Sequence, residues 1–176
     1  RRAARPDSAA SFQAVPGHLY FENQPAKECR LNKSCYCVWD LQSTDRDSAL
    51  TELLASVPNI GAHSREMLIK ALHIREQAGP TLVTPGIAMP HCRSILMDDL
   101  VIAIGRSSSG IPWPDEPAGV VVMFISPVKP SGPQEHMDLI AHLASHMKNN
   151  GPERITGASS PEKLAELLGL DLIQGG

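Results

Sequence analysis

Two uninterrupted apolar runs constrain this chain more than any other feature. Leu100 to Gly105 reads Leu-Val-Ile-Ala-Ile-Gly, and Gly119 to Ile125 reads Gly-Val-Val-Val-Met-Phe-Ile. A strand with one face in water alternates apolar and polar residues, whereas a strand covered on both faces does not. The runs therefore predict strands at the centre of a sheet with helices packed on it. Both are far shorter than the ~20 residues that a membrane-spanning helix needs, so no direct membrane insertion is expected. Between them, Ser107 to Gly119 is rich in Ser, Gly and Pro and is expected to be a loop.

The covering helices show by their period. Thr44-Asp-Arg-Asp47 looks like a capping sequence, with an acid three residues after the Thr. Leu50, Leu53, Leu54 and Val57 follow at helical spacing, and Pro58 and Gly61 end that segment. A second helix is expected from about His63 to Gln77, with Met67, Ala71 and Ile74 on one face and Leu68 and Leu72 beside them, stopped by Gly79-Pro80. A third runs from about Gln134 to Lys148, with Met137, Ile140, Ala144 and Met147 as its apolar stripe. Glu135 and Asp138 suit its positive end. A last helix, from about Ser160 to Leu168, opens with a proline in its first turn. Ser34 to Leu41, Thr81 to Val83 and Gly86 to Met89 are short extended pieces. The order adds up to a layered α/β (α+β) domain spanning 35–176. Residues 1–34 lack periodic pattern and carry Pro6, Pro16 and Pro25, so they are expected to be a linker or irregular extension.

Composition narrows the partners. The net charge is −3 over 176 residues, so no strongly basic surface advertises nucleic acid. Arg1, Arg2 and Arg5 lead into Pro6 and Ser8 rather than an apolar core, so no signal peptide is expected, and the missing initiator Met reads as a piece of something longer. Of four cysteines, Cys29, Cys35 and Cys37 cluster while Cys92 stands apart. The C-x5-C-x-C spacing fits reduced structural thiols better than a zinc site, and a cytoplasmic location fits the same reading.

One histidine stands out by its setting. Gly86-Ile-Ala-Met-Pro-His-Cys-Arg-Ser94 delivers His91 behind a proline and two residues before Arg93. Pro90 fixes its own φ and biases Met89 to an extended form, which places His91 at a strand end on a restrained backbone. On these residues alone His91 is either an ordinary strand-end histidine or a phosphate acceptor, with Arg93 able to bind the anion. Arg75-Glu76 closes the second helix just before the strand that leads to His91, and His136 opens the helix after the longest apolar strand. Such ends can converge at one edge of a sheet, where α/β folds bind ligands. His142 and His146 lie four apart, a spacing that can hold a metal, but they fall off the expected stripe and are expected in solvent.

Taken together these segments resemble a family. Leu72-His-Ile-Arg-Glu76, Thr81, Thr84-Pro-Gly-Ile-Ala-Met-Pro-His91 and His136-Met-Asp-Leu-Ile-Ala-His-Leu143 follow the order and spacing of the EIIA domains of the fructose/mannitol and nitrogen-related type, from the bacterial sugar phosphotransferase system. The resemblance runs from about Val38 to the C-terminus. It implies a mixed sheet flanked by helices. It also implies that His91 is the phosphorylated residue, assisted by Arg75 and His136, with Glu76, Thr81 and Arg93 as possible supports and no cofactor or metal. The implied partners are a phosphohistidine carrier protein as donor and an EIIB-type domain or a regulatory protein as target.

The chain departs from that family in two places. Cys92 stands where members commonly have Gly, which puts crowding of a docking partner in question. His136 is followed by Met137 where Leu is usual. Ile111-Pro-Trp-Pro114 is compatible with the family's Phe/Trp-containing segment. Three readings stay open at this point: a phosphocarrier, a module whose phosphorylation controls a partner, and a non-catalytic domain attached to a transporter or regulator.

Overall fold

The computed structural model describes residues 31–114 and 116–173. The expected extension at 1–34 and Cys29 therefore lie largely or wholly outside the described residues. Twelve elements follow one another in this part of the chain. They are β1 (Ser34–Val38), α1 (Arg46–Ala55), α2 (Ala62–Gln77), β2 (Leu82–Thr84), β3 (Ile87–Ala88), β4 (His91–Ser94), β5 (Val101–Ile111), β6 (Ala118–Pro127), α3 (Gln134–Asn150), α4 (Pro152–Thr156), α5 (Pro161–Leu168) and β7 (Asp171–Leu172). The strands form one mixed sheet in the order β2-β3-β6-β5-β1-β7, with β4 also paired to β6.

The two apolar runs are the heart of this sheet. β5 and β6 pair antiparallel from Val101↔Ile125 to Ile111↔Ala118. Alternate residues of β6 then serve two separate cores, as strand geometry requires. Val120, Val122 and Phe124 pack with Leu139 and Leu143 of α3 and with Leu164 and Leu168 of α5. Val121, Met123 and Ile125 pack with Leu50, Leu53 and Leu54 of α1 and with Leu68 and Leu72 of α2. Helices thus cover both faces, which is why these runs are apolar without alternation. The expected loop at Ser107 to Gly119 is in part strand: β5 runs on to Ile111 and β6 begins at Ala118, with the register shifting between Arg106↔Val120 and Ile111↔Ala118. A composition rich in Ser and Gly does not report this extended backbone.

Several helix details differ from expectation. The N-cap of α1 is Asp45, whose carboxylate accepts from the Ser48 amide at 2.9 Å, not Thr44. On α2 the buried residues are Leu68, Leu72 and Glu76, while Met67 and Ile74 are exposed. On α3 they are Leu139, Leu143 and Met147, while Met137 and Ala144 are exposed. Each helix carries two overlapping apolar stripes at helical spacing, and the sheet selects the one that meets it. His142 and His146 are accordingly half-buried rather than solvated. Their rings stand 4.5 Å apart against the C-terminal end of α5, where Gly169 adopts a left-handed φ of 66° and a Cβ would run into both rings. His142 Nε2 lies 2.8 Å from Gly169 O, so a structural contact occupies the pair. Among the described residues no group of three or more His, Cys, Asp or Glu is placed to hold a metal. Cys35, Cys37 and Cys92 are free thiols. No described helix is long and apolar enough to cross a membrane.

Candidate functional site

The backbone that carries His91 is a strand interrupted by a proline. Pro85-Gly86 turns β2 into β3, with Gly86 at φ 73°, a conformation that favours glycine after proline. Gly86 O then accepts from the amides of Gly119 and Val120, which fixes β3 beside β6. β3 pairs parallel to β6 through Ile87 and Ala88, Pro90 breaks the regular ladder, and β4 resumes it through His91↔Phe124 to Ser94↔Pro127. Pro90 still contributes, since its carbonyl accepts from Phe124 N at 3.1 Å. His91 is therefore the first residue of a strand, not the last of one as expected. Pro90 cannot donate to the ladder, so regular pairing stops before it and restarts after it.

Register decides what surrounds the imidazole. Cross-strand partners share a face, so His91 sits beside Phe124 with ring centroids 5.0 Å apart and planes inclined by 8°. His136, on the first turn of α3, closes the group at 5.4 Å from His91 and 5.2 Å from Phe124. His91 Nδ1 lies 2.8 Å from Met89 O. A carbonyl only accepts, so the neutral ring carries its proton on Nδ1 and presents a lone pair at Nε2. Burial holds the His91 pKa below its ordinary value. The bond to Met89 pulls it upward, the Arg75 charge adds to the lowering and Glu76 opposes it. His136 is pushed down to about 4, first by burial and then by His91, Arg93 and Arg75. The site is thus two neutral imidazoles in a cationic surrounding, a setting suited to an oxyanion rather than a metal cation.

The other expected residues divide into two groups. Arg75, half-buried at the end of α2, donates from Nη1 to Gly79 O at 3.1 Å, and its charge acts on both histidines. Arg93 shares the His91 face of β4; Nη2 lies 3.5 Å from Gly132 O and Nε is buried without a partner. Glu76 and Thr81 are buried and bonded to each other rather than to the rings. The Glu76 carboxylate accepts from the Thr81 hydroxyl, from the Thr81 amide at 3.4 Å and from Trp113 Nε1 at 3.2 Å. This latch ties the end of α2 to the chain entering β2 and to the β5–β6 connection. It supports the site by holding the helix end that bears Arg75. Phe124, Ser126 and Trp113 were not among the residues expected at the site. Phe124 was hidden in an apolar run that reads only as core, whereas Trp113, flanked by two prolines, did carry a signal.

Cys92 is resolved by the same alternation. It points to the α1/α2 side, 8% exposed, among the residues packed with Leu68 and Leu72. Burial raises its pKa to about 12. It neither lies on the His91 side of the strand nor carries a reactive thiolate.

Residues 31–169 match the family described as phosphoenolpyruvate-dependent sugar phosphotransferase system, EIIA 2. The chain belongs to this family. It is a phosphotransferase-system EIIA domain, a phosphocarrier. A curated relative, the 2-O-alpha-mannosyl-D-glycerate-specific EIIABC component of Escherichia coli K12, is 30% identical over 125 residues, 68% of this chain. The chain spans 18% of that relative's length. Among solved structures, the nitrogen regulatory protein IIA-Ntr from Neisseria meningitidis superposes with a TM-score of 0.62 at 19% identity, covering 78% of this chain and 94% of that one. The complex of enzyme IIA mannitol with phosphorylated enzyme IIB mannitol from Escherichia coli gives 0.56 at 14% identity, covering 76% and 93%. At such identities these two structures speak to the fold, which is the mixed sheet expected from the sequence.

Proposed function

We propose that His91 Nε2 is the phosphoryl acceptor of this EIIA domain, with Arg75 and His136 as its assistants. The observation that carries the reading is the Nδ1–Met89 contact at 2.8 Å, which leaves Nε2 with the lone pair in a ring kept neutral by burial. In the transfer, the donor's N–P bond breaks as a bond forms from His91 Nε2 to phosphorus, and the donor ring leaves with the electron pair. Nδ1–H stays bonded to Met89 O throughout, so no proton has to move for the bond to form. Phosphoryl transfer asks the protein mainly for position and charge stabilisation. Arg75 supplies a permanent planar fork for the oxygens. His136 supplies a neutral hydrogen-bonding ring at 5.4 Å from the acceptor ring. Arg93 adds charge from the same strand face, and Glu76 and Thr81 hold the end of α2 in place.

The donor in this reading is a phosphohistidine carrier protein, and the recipient is an EIIB-type domain. The complex of enzyme IIA mannitol with phosphorylated enzyme IIB mannitol favours this recipient, and the nitrogen regulatory protein IIA-Ntr keeps a regulatory recipient in view. Incubation with a phosphorylated histidine carrier, followed by intact mass, tests the core of it. A gain of one phosphoryl group that disappears in His91→Ala is expected; labelling that persists in the variant places the acceptor elsewhere.

A further inference from the structure

We propose that Ser126 is a positioning residue that holds His136 as its Nε2–H tautomer, so that this ring donates a hydrogen bond to the phosphoryl group while His91 attacks. The proposal rests on the phosphocarrier reading of His91. Ser126 is the cross-strand partner of Arg93 and lies two residues beyond Phe124 on β6, so it shares the face that carries His91. It is 1% exposed, one of a small group of buried polar residues in a strand otherwise filled by apolar side chains. Its hydroxyl stands 2.7 Å from His136 Nδ1.

Satisfaction of hydrogen bonds sets the direction of that contact. Among the described residues, the Ser126 hydroxyl has one hydrogen-bonding partner, His136 Nδ1. Were the proton on Nδ1, the hydroxyl would accept it and its own hydrogen would be left buried with no acceptor, which is unfavourable. With the hydroxyl donating to Nδ1 both groups are satisfied, and the ring proton goes to Nε2. Met89 O does the reverse for His91, placing the proton on Nδ1. The two rings are therefore held as opposite tautomers by two different groups, the Met89 carbonyl and the Ser126 hydroxyl, one ring a lone-pair nucleophile and the other a donor. A His136 ring with its Nε2 lone pair outward would repel the incoming oxygens instead of binding them. The cations that face this ring, Arg75 and Arg93, favour the neutral state in which the tautomer matters.

Two measurements on the whole 176-residue chain test this. Long-range proton–nitrogen correlations on histidine-labelled, unphosphorylated protein read the tautomer directly. Nε2-protonated His136 is expected, and an Nδ1-protonated ring overturns the proposal whatever the protein's activity. Single-turnover phosphorylation by a phosphohistidine carrier then reads the consequence. Ser126→Ala is expected to slow transfer about fivefold, the scale of one net hydrogen bond, with the half-saturating carrier concentration unchanged, and Ser126→Thr is expected to restore most of the rate. A wild-type rate in Ser126→Ala overturns the proposal. If the wild-type chain accepts no phosphoryl group at all, the His91 reading falls instead, while the spectra still decide the tautomer.

Discussion

His91 and Cys92 are neighbours on one four-residue strand, yet they belong to different parts of the protein. His91 faces α3 and meets the rings of Phe124 and His136 and the field of Arg75. Cys92 faces α1 and α2 and meets only apolar side chains. The same contrast runs along β6, where Phe124 and Ser126 serve the His91 side and Ile125 the closed core. A strand in a two-sided sheet can thus carry chemistry on one face and stability on the other, with one residue of separation between them. A substitution next to His91 need not touch the site at all.

Substitutions on the two faces should separate activity from stability. The largest effect is expected from His91→Ala, which removes the acceptor nitrogen: phosphoryl uptake should vanish from the intact mass while the melting temperature changes little. Arg75→Ala and His136→Ala should each slow uptake by roughly a hundredfold to a thousandfold, as loss of a preorganised charge or donor does, with the fold retained. Unfolding of Arg75→Ala would show that its bond to Gly79 O is structural. Cys92→Ala should reverse the pattern: a loss of about 1 kcal/mol in denaturant unfolding and transfer within twofold of wild type. Alkylation of Cys92 should be slow in the native protein at neutral pH, because the thiol is buried and its pKa is raised to about 12.

The smallest expected effect is a slope in stability with pH. The folded pKa of His136 lies at about 4, below the ordinary 6.5. Between these values the unfolded chain binds a proton that the folded one does not, so stability falls as pH drops from 6.5 toward 4 and is flat above. His136→Gln should remove that contribution from the unfolding curve. His91, lowered in the same direction, should stay a competent acceptor at pH values somewhat under its ordinary pKa.

Much of this was legible in the residues. The continuous runs of β5 and β6 announce strands covered on both faces, because no other soluble environment tolerates that pattern. The setting of His91 behind Pro90, and the spacing to Arg75 and His136, were equally visible. The helix faces were less so. Met67-Ala71-Ile74 and Leu68-Leu72-Glu76 are both acceptable stripes on α2, and a periodic pattern does not say which one a sheet will cover. The same ambiguity put Met137 and Ala144 on the inward stripe of α3, where the structure has Leu139 and Leu143, and so sent His142 and His146 to solvent. Five-residue α4 and two-residue β7 leave too short a trace to be read at all.

The sequence by itself determined the layers, the acceptor candidate and the residues that could serve it, because periodicity, proline and spacing are local properties of a chain. Only the tertiary structure decided the faces. Register against β6 brought Phe124 and Ser126 to the His91 side and turned Cys92 away. That choice depends on groups that are far apart along the chain and meet only when the sheet is assembled.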